Sequence, residues 1–227
     1  MKTICSVTAL HGSDIFIKPH FKTLTGLDKR IALIGTKPWP FYETTHGIGE
    51  GKKTETILKK DFPDVEIKYT DSVIGYHSWD MANFYNQFIK LASGYDYVTR
   101  IDVDMMFTQK DWKKMIDFVK NNDYDYYRMN FITNSIDYYY DFEHGIKDAL
   151  EDDVMIVKTN NLFKPVLDPA VGDGYLMEWE DWVCHHFRGW NKPESLGDID
   201  KPNKDFKKLD ERNEWIKCPQ EIRDLWK

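Results

Sequence analysis

YDYVTRIDVDMMF, residues 95–107, runs an apolar strand directly into two aspartates, Asp102 and Asp104, with one residue between them. Side chains alternate along a strand, so residues i and i+2 share a face, and just past the strand end both carboxylates can converge on one cation. Two like charges beside an apolar sheet are unfavourable unless a cation, basic groups or water compensate them. A hard divalent metal is the natural occupant, Mn²⁺ or Mg²⁺. The competing reading is a solvated turn, where Asp is common because its side chain bonds nearby backbone amides. The tripeptide alone does not decide between the two.

Upstream, SWDMANFYNQFIKL (78–91) places Trp79, Ala82, Phe84, Tyr85, Phe88 and Leu91 near one helical face, and Gly94 supplies a stop before the strand. TICSVTAL (3–10), RIALIGT (30–36) and VEIKYT (65–70) read as further strands. Between them, KPHFKTLTGL (18–27) reads as a helix with Pro19 in its first turn, and TETILKKDF (54–62) as a short helix. The intervening KPWPFYETTHGIGEGKK (37–53) reads as a punctuated loop, its HGIGEGKK end (46–53) as flexible and a candidate lid. Its HGIGEGKK segment lacks the six-residue spacing before Gly-Lys-Ser/Thr of a phosphate-binding loop. This alternation predicts an α/β fold, a central mostly parallel sheet flanked by helices, with the aspartates at the carboxyl end of a central strand. Open α/β sheets bind ligands at that edge.

Downstream, QKDWKKMIDFVKN (109–121) predicts a helix and DYDYYRMNF (123–131) an extended segment. From there to about Asp173 the pattern is irregular. GYLMEWEDWVCHHFRGW (174–190) predicts one long extended segment, and a polar, Pro-interrupted tail from Asn191 leads to a final short pattern, EIRDLW.

The chain has 227 residues, 41% hydrophobic and 15% aromatic, enough for one substantial core. A net charge of −7 opposes general nucleic-acid binding, which needs a basic stripe. Cys5, Cys184 and Cys218 are odd in number and form no C-x-x-C pair, which argues against a disulfide framework or a zinc knuckle and for a reducing compartment. The apolar run from Ile4 to Leu10 is cut by His11 and Asp14 before it could serve as a signal peptide, and no window approaches a membrane span. The expectation is a cytoplasmic protein, with peripheral membrane attachment left open.

A second constellation lies some eighty residues after the aspartates: HHFRGWNKP, residues 185–193. A neutral imidazole can complete an oxygen-rich site, more readily for Mn²⁺, while Arg188 and Lys192 could neutralise a diphosphate. Adjacent strand residues face opposite ways, so one histidine at most is a ligand. His186 is the candidate, and His185 the structural residue.

Together, ANFYNQFIKLASGYDYVTRIDVD (82–104) and the histidine segment resemble the GT-A nucleotide-sugar glycosyltransferases, most of all the family 2 type. The resemblance covers roughly residues 3 to 193. It implies a GT-A, Rossmann-like fold with an irregular acceptor-side C-terminal part, formed by one domain over 1–227. Residues 1–107 would be the nucleotide-sugar-binding half, 108–193 the acceptor and catalytic half, and 194–227 an extension. By the same resemblance Asp102 lies near the ribose or the metal, Asp104 coordinates the metal that bridges the two phosphates, and His186 is a further ligand. Thr8, Ala9 and Leu10 would border base and ribose, with Asp71 and Asn86 as polar contacts. HFRGWNKP also fits the His-x-x-Gly-x-x-Lys-Pro pattern of the retaining family 8 enzymes resembling glycogenin, whereas family 2 enzymes invert. The helix after the aspartates looks more like family 2, which favours inversion.

Inversion requires a carboxylate to take the acceptor's proton. Glu180 and Asp181 in WEDW resemble the family's Glu-Asp pair, although they lie closer to the histidine than the family pattern has them. Glu151, Asp152 and Asp153 are rivals, and for each of these acids an exposed surface role competes. The aromatics of DYYYDF and Trp179, Trp182 and Trp190 could stack on acceptor sugars or pack the core. The expected reaction partners are a UDP- or GDP-sugar donor and a glycan or other hydroxyl acceptor. The alternatives are a sugar-1-phosphate nucleotidyltransferase, which would carry a Gly-rich basic segment after the first strand where this chain has LHGSDIF, and a non-catalytic carbohydrate-binding domain.

Overall fold

A computed structural model describes residues 1–10, 14–37, 48–72, 78–135, 144–163, 172–177, 184–188, 215–217 and 219–225. The first half alternates strand and helix as its periodicity demands: β1 (Ile4–Leu10), α1 (Asp14–Thr23), β2 (Lys29–Gly35), α2 (Ile48–Asp61), β3 (Glu66–Thr70), α3 (Ser78–Leu91) and β4 (Tyr97–Arg100). β1 pairs in parallel with both β2 and β4, and β2 pairs in parallel with β3. Then come β5 (Met105–Phe107), α4 (Gln109–Asn121), β6 (Tyr126–Ser135), β7 (His144–Lys158), β8 (Gly174–Met177), β9 (Cys184–Arg188), β10 (Trp215–Lys217) and α5 (Gln220–Asp224).

Among the described residues these strands form a single ten-stranded sheet in the order β3-β2-β1-β4-β7-β6-β9-β5, with β8 on β6 and β10 on β7. The sheet is parallel through β4 and changes direction at β7, which runs antiparallel to both β4 and β6. Alternation along β1 splits the core between two faces. Ile4 and Leu10 pack with Phe16, Ile17 and Phe21 of α1, Leu58 of α2, and Trp112, Met115, Ile116 and Val119 of α4. Cys5 and Val7 pack on the other face with Phe84, Tyr85 and Phe88 of α3. Each large side chain buried in these clusters contributes about 1.5–3 kcal/mol. Gly94, at φ +100°, turns the chain from α3 into β4 in a conformation that L side chains avoid.

The sheet cannot be flat. β5 lies four neighbours from β4 in the sheet order, about 19 Å in a flat sheet. Yet Met105 follows Arg100 by five residues, which span about 18 Å even when fully extended, and they include a tight turn. The second half of the sheet therefore curls back to meet the end of β4.

Several elements differ from their sequence reading. α1 starts four residues before the predicted helix, so Pro19 lies inside it rather than in its first turn; Thr23 Oγ1 donates to the Pro19 carbonyl at 3.1 Å. The predicted loop 37–53 is helical from Ile48 onward, because α2 gains tertiary packing through Thr54 and Leu58 that outweighs the helix penalty of Gly49 and Gly51. The stretch read as irregular contains β7, fifteen residues long. Register shifts between β6 and β7, at Tyr127/Arg128 and Asn130/Ile132, break the period-2 pattern that would have revealed it. No helix among the described residues is long and apolar enough to cross a membrane.

Candidate functional site

Strand β4 ends at Arg100 and the chain turns at once. The Met105 N–H donates to the Asp102 carbonyl at 2.9 Å, closing the four-residue turn Asp102–Met105. Burial alternates through it: Ile101, Val103 and Met105 are buried, whereas Asp102 and Asp104 are partly exposed. Val103 anchors the turn in the core and leaves both carboxylates at the surface, as the i, i+2 argument requires.

Arg100, which the sequence reading passed over, stands behind the pair. It is 5% exposed, its Nη2 donates to the Tyr85 hydroxyl at 2.9 Å, and its guanidinium lies 3.9 Å from the centre of the Tyr85 ring. The same Nη2 is 3.7 Å from Asp102 Oδ2, so a buried, always charged guanidinium offsets one of the two carboxylates. A charged residue inside the apolar run YVTRI was the available signal.

His20 was also missed. Its Nδ1 is 3.2 Å from the Met105 carbonyl and its Nε2 is 2.9 Å from Thr8 Oγ1. The ring is fully buried against Phe21, and burial pulls its pKa from 6.5 to about 4, helped by Arg30 and opposed by the Met105 carbonyl and Asp104. A polar residue on the apolar stripe Phe16, Ile17, Phe21, Leu24 was the signal in this case.

The strand pairing brings His185 and His186, the start of the second constellation, beside the first. β5 runs antiparallel to β9 with Met105 opposite His186, Met106 opposite His185 and Phe107 opposite Cys184. Residues so opposed have Cα atoms about 4.5–5.5 Å apart. His186 therefore occupies the register position facing the residue that follows Asp104. His185 is fully buried, and burial pushes its pKa down to about 4. The Cys184 thiol is held protonated by burial first and then by Asp104 and Asp102, which places it in the electrostatic field of both carboxylates. Cys5 is likewise inert, its pKa pushed up to about 12 by burial.

The remaining candidates are dispersed. Thr8 is buried and engaged with His20, Leu10 is in the core, and Ala9 between them is partly exposed. Asp71 is exposed just beyond β3, 3.4 Å from Lys37 Nζ. Asn86 Nδ2 donates to the Phe163 carbonyl at 3.1 Å while its Oδ1 accepts from the Phe163 N–H at 2.8 Å, so both ends of its amide are engaged by backbone. Asp152 lies in β7 opposite Asn130, between Glu151 and Asp153. Arg188, at the end of β9, is opposite Ser135. Glu180, Asp181, Lys192, the tryptophans 179, 182 and 190 and the DYYYDF cluster lie outside the described residues. Among the described residues no group of three His, Cys, Asp or Glu side chains could hold a metal. Two hard oxygen donors on one short turn nevertheless suit a divalent cation that takes its other ligands from elsewhere.

No protein-family model and no curated protein matches the sequence. Among solved structures the chain is similar to S. aureus TarS 1-349 in complex with UDP-GlcNAc, at 9% identity over 91% of this chain and 64% of that one, with a TM-score of 0.51. S. aureus TarS 1-349 gives 11% identity over 87% and 63% of the two chains with a TM-score of 0.49, and its complex with UDP gives the same identity and coverage with a TM-score of 0.48. The chain thus spans less than two thirds of the TarS 1-349 chain. What the two proteins share is the fold, a GT-A-like α/β sheet flanked by helices.

Proposed function

We propose that this protein is a metal-dependent glycosyltransferase that moves a sugar from a nucleoside diphosphate sugar to a hydroxyl acceptor, with inversion. The observation that carries the reading is the Asp102–Met105 turn at the carboxyl end of β4, met in register by β9 and its His186. The likeness of fold to a protein solved in complex with UDP-GlcNAc supports it and makes UDP-sugars the donors to try first.

Asp102, Asp104 and His186 would hold Mn²⁺ or Mg²⁺. When bound, such a cation neutralises charge developing on a departing diphosphate. The chain's own residues do the rest. Arg100 restrains Asp102 from behind, and Lys192 shares the diphosphate charge. A carboxylate, with Asp181 preferred over Glu180 and Asp152, takes the proton from the acceptor hydroxyl as its oxygen attacks the anomeric carbon. The bond from that carbon to the phosphate oxygen breaks, and the nucleoside diphosphate leaves on the opposite face.

The test is product analysis with UDP- and GDP-sugars, with and without Mn²⁺. Release of nucleoside diphosphate that needs Mn²⁺, and that falls about a hundredfold or more in a folded Asp104→Asn variant, is the expected result. Pyrophosphate release would instead identify a nucleotidyltransferase, and sugar binding without turnover of any donor a carbohydrate-binding domain; either result overturns the proposal.

A further inference from the structure

Met105 is the residue through which the candidate site is framed. Its N–H closes the turn onto Asp102, its backbone pairs with His186, and its carbonyl meets the His20 ring at 3.2 Å. We propose that His20 is a positioning residue for the Asp102–Met105 turn, fixing the carbonyl that follows Asp104 and thereby setting where the two carboxylates stand relative to each other. The inference rests on the glycosyltransferase reading only for what those carboxylates hold.

For a neutral ring, hydrogen-bond chemistry allows one arrangement. A carbonyl can only accept, so Nδ1 must carry the proton and donate to Met105 O; Nε2 then has a lone pair, and the Thr8 hydroxyl must donate to it at 2.9 Å. The ring is neutral and in a single tautomer, consistent with burial holding its pKa near 4. Thr8 lies in β1 opposite Ala32 of β2, one residue past the last β1–β4 pair, Val7 with Arg100, and is the fixed end of the relay. The chain Thr8 to His20 to Met105 therefore ties β1, through α1, to a turn that must leave β4 abruptly. A phenylalanine would fill the same space without the cost of burying two ring nitrogens, a cost met only because both are bonded. The carbonyl that the ring engages belongs to the residue directly after Asp104.

The experiment compares His20→Phe, His20→Asn and Thr8→Val in the full chain, with two readouts. One is amide hydrogen exchange of residues 102–107 against the reference strand 29–35; the other is the Mn²⁺ concentration that half-saturates UDP binding. His20→Phe is expected to speed exchange in 102–107 about tenfold while leaving 29–35 unchanged, and to raise the Mn²⁺ requirement by about tenfold. His20→Asn, whose amide N–H can stand where Nδ1–H stood, is expected to stay within about threefold of wild type in both. A folded His20→Phe protein with unchanged exchange in 102–107, with equal acceleration in 29–35, or with faster local exchange but an unchanged Mn²⁺ requirement overturns the proposal. Should His20→Phe not fold, Thr8→Val decides: it removes the donor that anchors Nε2, so a smaller acceleration confined to 102–107 supports the relay and none overturns it. If wild-type protein shows no Mn²⁺-dependent UDP binding, the glycosyltransferase reading fails by itself, and the exchange pattern still decides whether His20 holds the turn.

Discussion

Asn86 shows how a residue with a plausible ligand role can be committed elsewhere. Its amide makes a two-bond bridge to the backbone of Phe163, joining α3 to the chain after β7, and Phe163 is itself 4% exposed. Asn86→Ala is expected to cost about 1–3 kcal/mol in urea unfolding, because it leaves a backbone donor and acceptor without partners where water is scarce. Asn86→Asp should cost at least as much, since it keeps the acceptor but sets a carboxylate oxygen against the Phe163 carbonyl. A loss of nucleotide affinity with stability unchanged would reverse this assignment. His20 makes a second residue-scale prediction, this time in pH. Burial lowers its folded pKa from 6.5 to about 4, so between those values the unfolded chain binds a proton that the folded chain refuses. The stability it contributes is complete above pH 6.5, declines as pH falls towards 4, and changes no further below that. At about 1.4 kcal/mol per unit the loss has a ceiling of about 3 kcal/mol. Denaturant unfolding of wild type and His20→Asn from pH 7 to 4 checks this: the two should converge as the pH drops, and parallel profiles would contradict it.

Helix α4 is the element most completely specified by its own sequence. Thr108 Oγ1 accepts from the Asp111 N–H at 3.1 Å and donates to Asp111 Oδ2 at 2.8 Å, while Trp112, Met115, Ile116 and Val119 form the buried stripe. Thr108→Ala should cost about 1 kcal/mol, read as a fall of about 2–4 °C in the unfolding midpoint for a domain of this size; an unchanged midpoint would mean that the cap is redundant. β1 to β4 and α3 were legible for the same reason as α4, namely that a clean period recorded which side each residue buries. Legibility failed where burial did not follow one period. In α1 a proline inside the helix mimics a helix start, in α2 two glycines hide a helix that packing sustains, and in β7 the register shifts scramble the alternation. In the site, the shared exposure of Asp102 and Asp104 was readable because it depends on residues two apart. The pairing of Met105 with His186 spans eighty-one residues, and only a motif resemblance pointed to it. His20 and Arg100 escaped because each resembled a stray polar residue within an apolar pattern, and only the folded chain shows what each one touches.

On the scale of the whole molecule, the candidate site lies where the two halves of the sheet meet. β4 is flanked by parallel β1 and antiparallel β7, and the sheet then curls through β6 and β9 until β5 returns to the turn that leaves β4. A ligand gripped by Asp102 and Asp104 on one side and by residues of β9 on the other would bridge segments that chain unfolding must separate. It would bind the native state alone, and saturation at a hundred times its dissociation constant would add about 2.7 kcal/mol. UDP with Mn²⁺ should therefore raise the unfolding midpoint by about 5–10 °C, at 2–4 °C per kcal/mol. If, as proposed, a cation mediates the grip, UDP with a chelator should give little of that rise. Asp104→Asn should lose it too while keeping a near wild-type midpoint without ligand, since Asp104 is partly exposed and Val103 anchors the turn. An equal rise for UDP in the presence of chelator, or in Asp104→Asn, would show that the nucleotide is held away from this turn and that the junction of the two half-sheets is structural alone.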